Sequence, residues 1–391
     1  MTTLKKSLAY LASLELTILC LSCSLLLVFA GTLAQVHYGV HQVQQRFFES
    51  LIVWWPMEAD SQLTLPVWPG GALLGSILLI NLLAAHIARF QLKWRKLGIQ
   101  LIHAGLIILL AGGVLTGLFS VSGYMHLAQG EAKNYSEDAE TVELAVIDES
   151  DPQLDQVTAI PQSILSREGT ITHPSLPFRI LVDRYYKNTQ LIMQQEGLPP
   201  AGDHGIGSRV SVQELPPATA PNDQNQPAAV IEILPLSSDQ KAGTPSTYGK
   251  WLVSPALGAP QKLSVDEKQW RIEMRPTRHY KPYTITLQKF THERYPGTDI
   301  PKNFASQVTL IDPDHKENRD VLIYMNHPLR YRGDTLYQSG FDKNDMATVL
   351  EVVHNPGFLA PYIACVIVGV GLLIQFAFHF IEFVRRRKAT P

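Results

Sequence analysis

Four apolar stretches, at residues 14–36, 71–88, 97–119 and 358–384, constrain this chain more than any other feature of its sequence. Crossing a hydrocarbon core of about 30 Å takes roughly 20 helical residues. Backbone groups inside lipid must be satisfied within the segment, so unbroken apolar runs of this length read as membrane helices. The second stretch is the shortest and alone would also suit a buried helix of a soluble protein. Arg89, Lys93, Arg95 and Lys96 follow it, however, and the third stretch begins at once, so 71–119 reads as a hairpin of two spans. The first stretch could instead be a cleaved signal peptide, because Lys5 and Lys6 precede it. Its length and the lack of a clear small-x-small site after it favour a retained helix.

Positive residues beside membrane spans stay in the cytoplasm. Lys5 and Lys6 before the first span, the cluster from Arg89 to Lys96 between the second and third, and Arg385, Arg386, Arg387 and Lys388 after the fourth all agree. The fold class that follows is membrane α-helical, with about four transmembrane helices and both termini cytoplasmic, plus a large extracytoplasmic mainly-β domain. The expected divisions are 1–36 (tail and first helix), 37–70 (extracytoplasmic loop), 71–119 (second and third helices with a basic turn), 120–357 (β-rich domain) and 358–391 (fourth helix and basic tail).

Within 120–357, short runs rich in β-branched and aromatic residues alternate with Pro, Gly, Asn and Asp, the pattern of strands joined by turns. Strands are expected at 141–147, 178–186, 209–213, 229–234, 251–253, 270–274, 283–290, 307–311 and 321–325. Two of them, the runs from Phe178 and from Tyr283, share an alternation of one aromatic and two aliphatics. That likeness fits either a duplicated unit or the period of any half-buried strand. Residues 216–226 turn to Pro, Ala, Asn and Gln and read as an exposed loop.

A net charge of -2 and the absence of a basic stripe away from the spans give nucleic acid no footing. All three cysteines, Cys20, Cys23 and Cys365, fall in apolar runs, so the β domain can form no disulfide and no thiol relay. The Cys20/Cys23 pair lies on one helix face away from thiolate-stabilising charge and reads as packing. No phosphate-binding loop, no HExxH and no Ser-His-Asp order is present, which excludes a self-contained hydrolase or kinase.

The informative residue is His103. It lies about 10 Å along the helix from Lys96, where polar groups are costly and tend to be functional. A neutral imidazole there is either a ligand for haem iron or one end of an interhelical hydrogen bond, the latter helped by Ala104, Gly105, Gly112 and Gly113. His86 and His379 lie shallower, where snorkelling also explains them. His126 and His327, outside the spans, read as turn or surface residues before ligands, and Arg330 and Arg332 as a solvated face before anion partners. Trp54, Trp55 and Trp68 mark a membrane interface.

The arrangement of spans, with Gly31-Thr32-Leu33-Ala34-Gln35, Leu101-Ile102-His103-Ala104-Gly105-Leu106, Met125-His126-Leu127-Ala128-Gln129-Gly130-Glu131, Tyr295-Pro296-Gly297-Thr298, Asn326-His327-Pro328-Leu329-Arg330-Tyr331-Arg332-Gly333, Tyr337-Gln338-Ser339 and Asn355-Pro356-Gly357 in order, resembles the ResB (CcsB) family of System II cytochrome c biogenesis. The resemblance implies a multi-pass protein of the bacterial cytoplasmic membrane. It implies a ResC/CcsA-type membrane partner, transported haem b as the bound group, apocytochrome c as the recipient, and a thioredoxin-like reductant in the same pathway. It makes His103 the axial haem iron ligand, with a partner histidine as the other, and draws His86, Arg95, Lys96 and His126 in as cofactor-binding candidates. The tryptophan-rich haem-handling signature of such partners is not reproduced by Trp54-Trp55-Pro56, so the chain is expected to be a non-catalytic or co-catalytic subunit of a haem lyase complex. Two other readings stay open: a cytochrome b with His86 and His103 on one iron, and a membrane-anchored receptor whose β domain binds a ligand.

Overall fold

The computed structural model describes residues 9–56, 64–89, 93–151, 154–194, 199–218, 224–236, 246–265, 268–298, 301–342 and 346–389. Lys5, Lys6 and the middle of the 216–226 loop lie outside the described residues. Among the described residues, four helices are long and apolar enough to cross a membrane: α1 (Leu14–Val43), α2 (Gly71–Arg89), α3 (Leu97–Phe119) and α4 (Ala360–Ala389). The chain is a membrane protein with a large mainly-β domain between α3 and α4, as its sequence predicts. The first helix runs past the expected Val36 because its backbone bends at Gly39 (φ 74°) rather than stopping.

The helices pack α1 on α2, α2 on α3 and α3 on α4. At the start of α1 the helical chain is interrupted at Ala12 and Ser13, and carbonyls freed inside lipid need partners. Asn81 of α2 supplies them, donating from Nδ2 to Leu11 O (2.6 Å) and Ser13 O (3.0 Å) while accepting from Thr17 Oγ1 (2.7 Å). The Ser13 hydroxyl caps the resumed helix at Leu16 N (3.2 Å). Cys20 is buried and Cys23 partly so, consistent with packing.

The α3–α4 seam is set by glycine. A Cβ on Gly98 would lie 2.7 Å from Gly371 O, and one on Gly112 would lie 2.2 Å from Ala360 Cβ. Gly105, midway between, faces Val368 and Ala364. These three recur every seven residues, close to two helical turns, so one side of α3 touches backbone along its length.

The expected loop at 37–70 contains an antiparallel hairpin, Ile52–Pro56 with Thr64–Pro69. Its Trp55 meets Tyr38 edge-on at 6.1 Å, and Trp68 Nε1 donates to Cys23 O at 3.2 Å. The β domain is organised by two long antiparallel strands, Ala132–Asp148 and Lys268–Arg294, paired from Asp148↔Trp270 to Ala132↔Thr286. They belong to a ten-stranded sheet and share it between two cores. One core holds Leu144, Phe178, Ile180, Ile231 and Trp270 beneath a four-stranded sheet. The other, nearer the helices, holds Met125, Tyr283, Ile285, Leu310 and Leu336. Between them the pairing is irregular at Pro276–Arg278 and Tyr280–Ile285, where a proline that cannot donate to a ladder is tolerated.

Every stretch expected as a strand lies at least mostly in one, but 270–274 and 283–290 are parts of the single strand Lys268–Arg294, and two edges are corrected. Strand 317–324 stops before Met325 because Asn326 turns into the left-handed region (φ 63°), and Arg209 closes a 3-10 turn instead of opening its strand. The two alternating runs from Phe178 and Tyr283 both bury their alternate residues but lie in different sheets.

Candidate functional site

His86 is three residues from the end of α2 and His103 six residues into α3, so the antiparallel turn between them brings the two imidazoles to similar depth. Their ring centroids lie 6.4 Å apart with planes at 79°. The α3 seam sends Gly98, Gly105 and Gly112 toward α4 and thereby turns His103 away from it, toward α2. One turn nearer the basic end, Gln100 shares the face of His103. Its Oε1 is enclosed and makes no hydrogen bond among the described residues. Two adjacent imidazoles at membrane depth form a donor set that suits haem, whose iron takes neutral imidazole.

Arg95 and Lys96 are exposed on the 3-10 turn Trp94–Lys96 that leads into α3, beside the strongly exposed Trp94. They flank the histidine pair on the basic side. His126 does not join them. It lies exposed on strand Val121–Ala128, beyond the far end of α3, while Met125 and Leu127 beside it are buried. With 16 residues of helix between His103 and Phe119, the separation exceeds about 24 Å. His379 turns back on its own helix, with Nδ1 2.8 Å from Gln375 O.

The two arginines of the 326–333 run have separate fates. Arg330 stacks over Phe358 at 5.5 Å, at the base of α4. Arg332 donates to the buried Asp312 at 2.9 Å, so it is a structural cation. Asp312 also takes the Tyr331 hydroxyl at 2.7 Å. Burial alone would raise its pKa, but the bonds from Tyr331 and Arg332 prevail and hold the carboxyl at about 2. Tyr331, buried against that carboxylate, is pushed up to about 12. His327 stacks on Tyr324 with centroids 4.2 Å apart.

Residues that sequence reasoning passed over include Gln100 and a second polar centre around Asp334. This buried carboxylate accepts from Tyr283 OH (2.7 Å), lies 3.3 Å from Lys281 Nζ and holds His354 Nδ1 at 2.9 Å. Burial, then the bond to Asp334, raises the pKa of Tyr283. Gln100 was findable as a second polar residue one turn from His103. Nothing local in the sequence joins Lys281, Tyr283, Asp334 and His354. Higher in the domain, a cavity of about 220 Å³ is lined by Val253, Leu257, Met274 and Arg275. Its arginine is already neutralised by Glu143 and Glu273.

Residues 262–348 match the family model described as the ResB-like family, a span that includes the long strand Lys268–Arg294 and both buried aspartates, Asp312 and Asp334. Over that span the chain is similar to the ResB-like family. It is also 25% identical over 312 residues to Protein NrfI of Wolinella succinogenes, an alignment covering 77% of this chain and 29% of that protein. The chain therefore spans less than a third of that relative's length.

Proposed function

We propose that this ResB-like chain is the membrane subunit of a System II cytochrome c assembly machine, working with a ResC/CcsA-type partner to export haem and present it to apocytochrome c. The observation that carries the reading is His103, held at membrane depth against His86 with the enclosed Gln100 acceptor on the same face. In this reading His103 is one axial ligand of transported haem b and a partner histidine is the other. Arg95 and Lys96 attract the propionates at the cytoplasmic side. In this reading the β domain lies on the periplasmic or outer side of the bacterial cytoplasmic membrane, an orientation that the basic clusters beside the spans support. The chain by itself carries no thioether chemistry. It acts as a non-catalytic or co-catalytic subunit of a haem lyase complex, and a thioredoxin-like protein keeps the apocytochrome cysteines reduced. His126, remote from His103, serves in this scheme only at the outer surface.

The 6.4 Å between the imidazoles favours one second reading, a cytochrome b-like site in which His86 and His103 share an iron. Haem spectra of the chain purified with and without its membrane partner separate the two. The assembly reading expects co-purifying haem at the membrane site that depends on the partner, is lost in His103→Ala, survives His86→Ala, and is partly restored by imidazole. Haem retained by the lone chain and lost in either variant would replace it with the cytochrome b reading.

A further inference from the structure

A haem carried outward needs somewhere to arrive, and one imidazole on the β-domain side is built like a ligand. His354 ends the strand Ala347–His354, one residue before Asn355, which is tied to α3 by a 3.0 Å bond to Thr116. Its Nδ1 is 2.9 Å from Oδ1 of Asp334. A carboxylate accepts and cannot donate, so Nδ1 carries the proton and, in the neutral ring, Nε2 carries the lone pair. The other carboxylate oxygen is occupied by Tyr283 and Lys281, so Asp334 cannot turn away. Its own side chain is 5% exposed, whereas that of His354 is 47% exposed. A half-exposed ring fixed through one nitrogen by a buried carboxylate is the arrangement in which imidazoles bind metals.

Three other histidines approach aspartates, but differently: His279 brings its Nε2 only to 3.7 Å from Asp138. His204 pairs with the exposed Asp203. His315 approaches Asp312 at 3.2 Å, a carboxylate already matched by Arg332. Among the described residues no three ligating side chains converge, which disfavours a bare divalent ion. Porphyrin iron brings four nitrogens of its own and needs only an axial imidazole. Haem also needs apolar surface. Val121 stands opposite His354 in the strand pairing, and Phe119 and Leu359 at the nearby helix ends are likewise exposed.

We infer that His354, oriented by Asp334, is an axial ligand for haem iron on the β-domain side of the membrane. The inference rests on the haem-delivery reading above and supplies, within this chain, the second site that outward movement requires.

The test is a hemin titration of the full-length protein in detergent, followed by the Soret band and by electron paramagnetic resonance. In a His86→Ala/His103→Ala background, imidazole-ligated haem should persist. Adding His354→Ala should abolish it, adding Asp334→Asn should weaken it about tenfold, and adding His354→Cys should replace it with a thiolate-ligated spectrum, which no merely misfolded protein would give. If wild type binds hemin but the double-alanine background does not, or if His354→Cys leaves an imidazole spectrum unchanged, the inference fails while the His103 site stands. If wild type takes up no hemin, the inference fails, while the delivery reading, which expects haem that depends on the partner, is judged by the partner experiment above.

Discussion

Thr116 of α3 donates its hydroxyl to Oδ1 of Asn355 at 3.0 Å, and that oxygen also takes the backbone N–H of Gly357 at 2.8 Å. This one carboxamide joins the last strand of the β domain, the start of α4 and the helix that carries His103. The β domain is therefore mounted on the α3–α4 pair and not hung from a free linker. Asn355→Ala removes the acceptor and leaves the Thr116 hydroxyl and Gly357 N–H to find others, at a cost of about 1–3 kcal/mol. The expected result is faster proteolysis between His354 and Ala360 with the β domain itself still folded, read by the fragment pattern on limited digestion.

The α3–α4 seam gives a sharper expectation. A Cβ at Gly105 would stand 2.6 Å from Val368 Cγ2 and 3.0 Å from Ala364 O, whereas one at Gly113 meets nothing within 4 Å. Gly105→Val should lower stability by about 1–3 kcal/mol through overpacking and, by prising the helices apart, should weaken haem retention although His103 is untouched. Gly113→Ala should be neutral or stabilising by up to about 1 kcal/mol. Paired thermal melts in detergent check both. Equal destabilisation by the two substitutions would refute the seam.

Much of this was legible in the sequence because membrane spans and half-buried strands announce themselves by period. The four helices and the alternating strands were found from apolar length and from runs such as Phe178, Ile180 and Val182. The strands carrying Met125 and Leu127, or Leu336, were not, because polar neighbours and glycines dilute their alternation. His103 was legible as an isolated ionisable residue in lipid. That His86 would touch it depends on how a hairpin of helices rotates, which is set by Gly98, Gly105 and Gly112 against α4. The Asp334 cluster was illegible for another reason: Lys281, Asp334 and His354 come from three strands, and only their registration brings them together.

Arg275 and Glu143 form a buried ion pair at 2.9 Å near the waist where the two cores meet, each side chain 8% exposed, with Glu273 joining at 2.8 Å. Removing one partner strands the other charge in a low-dielectric interior. Arg275→Met should therefore cost about 3–5 kcal/mol. Adding Glu143→Gln to it should recover part of that loss, since the uncompensated carboxylate is gone. Denaturant melts of the two variants measure the difference, and no recovery in the double variant would mean that packing, not charge, sets the cost.

Asp312 makes the β domain sensitive to acid. Its carboxyl titrates at about 2 in the folded protein against about 3.9 in an unfolded chain, so the unfolded state binds its proton first as pH falls. Stability from this group is complete above about pH 4 and is lost progressively as pH drops through about 2. What is lost is the charge that accepts from Tyr331 and Arg332, the bonds that tie the turn after strand Pro301–Asp312 to the strand Leu329–Tyr331. Asp312→Asn should flatten the melting temperature between pH 4 and pH 2 and lower it at neutral pH, because Arg332 then keeps only its 3.4 Å contact with Asp314. Tyr331→Phe, which removes one donor and leaves the carboxylate paired with Arg332, should raise the pKa of Asp312 and shift the acid limb to higher pH without abolishing it. Melting curves of the three proteins over that range decide the matter, and an acid limb unchanged in Asp312→Asn would assign the sensitivity to another carboxylate.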